Sequence, residues 1–204
     1  MMTLQQLLNF PAAPEVALLF MTCVVLLLEL FVKQKNSLLT YTASQLSLLI
    51  SLVLVSHLYR IPAQLLFHQH YIWDLVAYFI KLSILFFSIF AFVYARDALK
   101  HLGINSGEYY LLGLFSILGM LVLTSANSLL TLYLGLELLS FPLYALVALQ
   151  RKPSDAAEAA MKYFILGALA SGLFLYGLSL LYGATHSLII PTINRVLLQG
   201  GQSP

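Results

Sequence analysis

Residues 109–149 read YYLLGLFSILGMLVLTSANSLLTLYLGLELLSFPLYALVAL, forty-one residues with one charge, Glu137. As a single helix, at ~1.5 Å per residue, this run would be roughly 60 Å long, twice the hydrocarbon core of a bilayer. The polar tetrad Ser125-Ala126-Asn127-Ser128 is the natural tight turn within it. The run therefore reads as two spans, about 109–126 and 128–149, back to back. The same criterion of about 20 apolar residues per span gives three earlier segments, 14–32, 38–56 and 75–95, and one later, 156–182. Pro14 suits a first helical turn, and Ser154 or Asp155 can cap the last span.

Composition agrees. The 204 residues are 61% hydrophobic and 9% charged, against about 25% charged in soluble domains; mean hydropathy is +0.92. The fold class is all-α: a polytopic helix bundle of six transmembrane helices whose main partner is the lipid bilayer. The net charge of +2 comes without a basic cluster, so no nucleic-acid partner is expected. The lone cysteine, Cys23, can form neither an intrachain disulfide nor a thiolate metal cluster.

Lysine and arginine set the expected orientation. Lys33, Lys35, Arg96, Lys100, Arg151 and Lys152 share one side, and only Arg60 and Arg195 fall on the other. The first side is therefore the cytoplasmic one, with both ends of the chain opposite. The start lacks a basic region before its apolar stretch, so it reads as an anchor and not as a cleavable signal.

Charges inside the spans point to function. An Asp, Lys or Arg at a bilayer centre costs roughly 2.5–3.5 kcal/mol on insertion scales, and such residues mark ion and proton paths. Glu137 has no charge at i±3 or i±4 and needs a partner from another helix, a water chain or a proton. Lys162 lies two turns into the next span, where Glu158 at i−4 offers a local bridge. Electrostatic coupling of Glu137 to Lys162 across the two spans is the central expectation. Pro142 removes a backbone N–H one turn after Glu137, and Gly135 allows close approach. Asp74 opens the third span and Lys81 lies two turns further in; the favoured reading for this lysine is snorkelling or a contact with Asp74, with an ion path as the other. Glu29 stands four residues before Lys33, spaced for a helical ion pair. Gly167/Ser171 and Ser179/Gly183 are small-residue pairs at packing distance. His68 and His70 form a weak metal pattern with only Asp74 in reach. No phosphate loop, nucleophile elbow, haem or flavin motif is present.

Two strings carry a family resemblance: Gly-Leu-Glu-Leu-Leu-Ser-Phe-Pro-Leu-Tyr around Glu137 and Glu-Ala-Ala-Met-Lys-Tyr around Lys162. The chain resembles subunit N of the bacterial proton-pumping NADH:quinone oxidoreductase, complex I, over about residues 11–185 and most strongly over 107–183. The resemblance implies an antiporter-like, proton-translocating subunit without redox chemistry of its own, in the bacterial inner membrane. It implies other membrane-arm subunits of complex I as partners. It assigns Glu137 and Lys162, with Lys81, to proton translocation, supported by Glu158, Pro142 and Asp74. No cofactor is expected on this chain; NAD, FMN, iron–sulfur clusters and quinone belong to other subunits. Related cation/proton antiporters and membrane-bound hydrogenases are the alternative. Family members have about fourteen spans, so the expected division is an N-terminal three-helix region (1–106), the start of the translocation module (107–185), and a polar tail (186–204). The chain is then expected to be a fragment, a truncated product or a split subunit, inactive alone.

Overall fold

The computed structural model describes residues 10–31, 37–102, 106–149 and 154–199. The helices are α1 (Ala13–Phe31), α2 (Ser37–His57), α3 (Leu75–Leu102), α4 (Ser106–Thr124), α5 (Leu129–Val147), α6 (Ser154–Thr185) and α7 (Ile190–Leu198). Among the described residues six helices, α1 to α6, are long and apolar enough to cross a membrane. Helix α3 continues past the apolar segment that ended near residue 95. Its last turns carry an exposed Asp97–Lys100 pair at 3.9 Å, so the helix outlasts its hydrophobic stretch. The Glu29–Lys33 and Ser154/Asp155 expectations involve side chains outside the described residues.

The main core joins α1 to α4. Leu18, Val25, Leu48, Val55, Leu85, Phe92, Tyr110, Leu114 and Leu121 pack together, so this core runs continuously across residue 106. One stripe of α2 is small and hydroxylated: Thr40, Ser44, Ser47 and Ser51 are all buried. Ser44, Ser47 and Ser51 each donate to the carbonyl four residues back. That satisfies their hydroxyls inside an apolar bundle, where an unpaired one would cost free energy.

Helices α4 and α5 come closest. A Cβ added to Gly119 would stand 2.4 Å from the backbone nitrogen of Leu139, and one at Gly135 would stand 2.9 Å from that of Leu123. The two backbones therefore touch through reciprocal glycines, one of them two residues before Glu137. Pro142 is buried within α5, which remains one helix.

One end of the bundle is closed by an element that apolar patterning did not show. Gln64–Leu66 (β1) and Tyr71–Trp73 (β2) pair as an antiparallel hairpin. Its turn holds Phe67, His68 and Gln69 at φ of 50°, 54° and 70°, a region that costs non-glycine residues roughly 1–2 kcal/mol each. Asn127 braces that turn: its side chain donates to Gln69 O at 2.7 Å, and its backbone N–H donates to His70 O. Asn127 O in turn accepts from Ile190 N. The tetrad at 125–128 is thus a turn, as its polarity predicts, and also the node joining the hairpin to the start of α7. Ser128 caps α5 by accepting from Thr131 N.

The tail expected to be polar and without a helix is partly otherwise. Ile190–Leu198 is an amphipathic helix with Pro191 in its first turn. Ile193 is buried with Leu129 and Leu178; Val196, one turn on, is buried too. Apolar residues three apart made one face, although the segment is too short and too mixed to span.

Gly119→Val is expected to force α4 from α5. Overpacking of this kind costs about 1–3 kcal/mol, read as a lower melting temperature of the purified protein in detergent, with Gly172→Val, in open space, as the harmless control.

Candidate functional site: two buried charge clusters

Glu137 sits on α5 and is 9% exposed. Its Oε1 accepts from the Ser171 hydroxyl on α6, and the Tyr133 hydroxyl, one turn earlier on α5, lies 3.4 Å from the same Ser171 Oγ. The face of α6 turned to α5 is set by periodicity. Gly167 admits the Tyr144 hydroxyl, whose oxygen an added Cβ would meet at 2.1 Å. Phe174 stacks on Tyr133 with centroids 6.4 Å apart, and Leu178 packs on Leu129. Residues 167, 171, 174 and 178 are one helical stripe. The other small-residue pair does not pack: Ser179 is exposed, and a Cβ on Gly183 would meet nothing within 4 Å.

This stripe decides the fate of Lys162. It precedes Ser171 by nine residues, about 13.5 Å along the axis and two and a half turns around it. Lys162 therefore points away from the face that meets Glu137. Its ammonium bridges to Glu158 on its own helix, and both side chains are largely exposed, at 70% and 64%. The direct Glu137–Lys162 pair is thus replaced by two separate arrangements: an acid held by a hydroxyl, and a lysine held by a local acid. The partner helix of Glu137 was legible in the sequence; the partner residue was not.

The second cluster lies at the hairpin end. Lys81 is fully buried, and its ammonium donates to Glu15 Oε1 of α1 and, at 2.7 Å, to the Tyr71 hydroxyl of β2. Its nitrogen also stands 4.8 Å from the Tyr71 ring centroid and 5.0 Å from that of Trp73. Two hydrogen bonds and two ring faces replace its water. Snorkelling is therefore overturned: aromatic rings from the hairpin close the route outward. Asp74 does not pair with Lys81 directly either. Its Oδ1 accepts from Ala77 N at 2.7 Å, capping α3. The Tyr71 phenol, with Pro11 O at 3.0 Å and Glu15 Oε1 at 3.1 Å, is pushed well above its usual pKa range by burial and then by the Glu15 charge, so it stays neutral.

Sequence reading missed Glu15 as the counter-ion, because the two partners are 66 residues apart; a lone acid near the start of a span was the only signal. A third acid, Glu29, accepts from Thr40 and stands where a Cβ on Gly107 would be 2.0 Å from its Oε1. That is the first turn of α4, where the helix dipole favours a carboxylate. In the His-x-His pattern, His70 Nδ1 hydrogen-bonds Ser128 Oγ at 2.8 Å. Among the described residues no three His, Cys, Asp or Glu side chains are grouped to hold a metal.

The comparisons with known proteins fit this picture of a helix bundle with buried charges. A family profile described as "NADH:quinone oxidoreductase/Mrp antiporter, TM" matches residues 126–204. NADH-quinone oxidoreductase subunit N of Thioalkalivibrio sulfidiphilus is 44% identical over 191 residues, 94% of this chain and 40% of that protein. The chain is a homologue of part of NADH-quinone oxidoreductase subunit N. The Halorhodospira halophila subunit is 48% identical over 185 residues, 91% of this chain and 38% of that protein. A chain in the structure of respiratory complex I from Thermus thermophilus with bound aureothin superposes with a TM-score of 0.72 at 32% identity, covering 87% of this chain and 38% of that one. The chain spans about 40% of the length of the curated relatives it matches. The all-α membrane bundle and the resemblance carried by residues 107–183 are thereby borne out.

Lys81→Ala leaves the Glu15 carboxylate buried without its ion partner. Loss of one member of a buried pair costs about 3–5 kcal/mol, whereas replacing both by apolar or neutral groups is often close to neutral. Thermal unfolding in detergent is expected to show a large drop for Lys81→Ala and recovery of most of it in Glu15→Gln/Lys81→Met.

Proposed function

We propose that this chain is a proton-handling portion of the membrane arm of an NADH:quinone oxidoreductase, with Glu137 as the group that takes up and releases the proton. The observation that carries the reading is a buried acid inside a span, held by one neutral hydroxyl and no cation among the described residues. A carboxylate so placed is held by a hydroxyl and not by a counter-ion, an arrangement suited to passing a proton. The neighbouring Pro142 and the α4–α5 backbone contact at Gly119 and Gly135 fix its position. Lys162 is a second element of the path. Its ammonium, paired with Glu158 and largely exposed on α6, is accessible to a neighbouring helix of the membrane arm. Lys81, neutralised by Glu15, belongs to the opposite end of the bundle.

Redox chemistry resides in other subunits on this reading. A single cysteine cannot supply an iron–sulfur cluster, and the chain has no dinucleotide-binding motif. The partners are other membrane-arm subunits, and the chain does not pump alone. The relatives at 44–48% identity favour the quinone oxidoreductase over the antiporters that share the family description.

The membrane is the bacterial inner one. The hairpin, the 125–128 turn and the start of α7 lie together at one end of the bundle, and Arg96 and Lys100, in the last turns of the helix that starts at the hairpin, lie at the other. The hairpin end is then periplasmic. Reporter fusions at Lys35, Lys100 and Lys152 are expected to read cytoplasmic; a periplasmic signal at two of them overturns the orientation.

In membrane vesicles energised with NADH, Glu137→Gln in the parent complex is expected to abolish most proton pumping at normal complex abundance. Glu137→Asp is milder. Lys162→Ala has a smaller effect than Glu137→Gln. Normal pumping by Glu137→Gln at normal abundance would make the acid structural and overturn the reading.

A further inference from the structure

Most serine and threonine hydroxyls in these helices turn back on their own helix. Thr22, Ser44, Ser47, Ser51 and Thr124 each donate to the carbonyl four residues earlier. That bond satisfies a polar group inside an apolar bundle without help from another helix. Among the described serines and threonines, two instead donate to an acid on another helix, Thr40 to Glu29 and Ser171 to Glu137. Thr40 is the fourth residue of α2, so its position i−4 precedes the helix. Ser171 stands in the middle of α6, with Gly167 four residues back. Its proton nevertheless goes across the interface.

The seam between α5 and α6 keeps Ser171 in that orientation. On one side of it along α6, the Tyr144 hydroxyl sits against Gly167. On the other, Phe174 stacks on Tyr133 and Leu178 packs on Leu129. These contacts set the rotation of α6 against α5. They also hold the Tyr133 ring, whose hydroxyl lies 3.4 Å from Ser171 Oγ. The serine hydroxyl, with one proton and two lone pairs, therefore faces two oxygens, Glu137 Oε1 and Tyr133 Oη.

A hydroxyl is a partner that a carboxyl group keeps in both charge states. It donates to an oxygen of the carboxylate. It donates to the carbonyl oxygen of the protonated acid as well, or accepts from its O–H. In that last arrangement the Ser171 proton turns to Tyr133 Oη, and the three side chains stay hydrogen-bonded with only hydroxyl rotation. An ammonium partner behaves differently. Once the acid is protonated, the ammonium is left as a buried charge without its counter-ion, which is strongly destabilising. The Glu15–Lys81 pair is of that second kind.

We propose that Ser171 is the positioning residue for Glu137, with Tyr133 as its second hydroxyl, holding the carboxyl group on the α5–α6 seam whether or not it carries a proton. The acid then changes charge without the two helices parting. This inference rests on the proton role given to Glu137 above. Ser171 acts through Glu137: the proton gained or lost is carried by the carboxyl group, and the serine only reorients its own O–H.

The test compares isosteres in the parent complex. Threonine keeps the hydroxyl, and valine has the shape of threonine without it. In membrane vesicles energised with NADH, Ser171→Thr is expected to keep most of the wild-type proton pumping. Ser171→Val is expected to lose about tenfold at normal complex abundance, the scale of one hydrogen bond to a charged group. Tyr133→Phe loses less than Ser171→Val. Infrared spectra give a readout independent of pumping: the carboxyl bands that vanish in Glu137→Gln shift in Ser171→Val and stay in place in Ser171→Thr. Equal pumping by Ser171→Thr and Ser171→Val, or Glu137 bands unmoved in Ser171→Val, would overturn this inference alone when Glu137→Gln is impaired. Normal pumping by Glu137→Gln would overturn the proton role itself, and the positioning role with it.

Discussion

The ion pair of Glu15 with Lys81 constrains the rest of this bundle. Neither charge can be left alone in a low-dielectric interior, and neither can escape. Lys81 is enclosed by the Tyr71 and Trp73 rings, and Glu15 is pinned by the lysine beside a tyrosine hydroxyl. The pair ties α1 to α3, and the rings that shield it require the hairpin between α2 and α3. That hairpin carries three left-handed residues at its turn, which Asn127 braces from the α4–α5 connection. A charge that the membrane would penalise has thereby become the reason for an ordered cap.

The Glu137 cluster works on the opposite principle. Its acid is held by a serine and has no ionic partner among the described residues. Reciprocal glycines bring α4 onto the turn that carries it, and the stripe 167–171–174–178 presents the serine. The two clusters treat buried charge differently: one pairs it with an opposite charge, the other holds it with a hydroxyl.

Much of this was legible from residue patterning. Length of apolar runs against bilayer thickness gave six spans, and the 125–128 tetrad gave the turn, because hydrogen-bonding polar side chains interrupt an otherwise apolar run. The strings around Glu137 and Lys162 pointed to the family that the relatives support. The expected snorkelling of Lys81 failed because snorkelling depends on what stands between the ammonium and water, here two aromatic rings from a distant strand. The α7 helix was hidden because nine residues with mixed polarity give little periodic signal.

The sequence by itself determined that this protein is a helical membrane bundle with acids and bases inside it, since hydrophobic length and the cost of buried charge are properties of local composition. Only the tertiary structure decided who pairs with whom. Lys81 found Glu15 across 66 residues. Glu137 met Ser171 and not Lys162, because nine residues on a helix turn the lysine to the opposite face. Pairing depends on which faces of which helices meet, and that is fixed by long-range packing: a glycine that lets two backbones touch, and a hairpin that folds over the end.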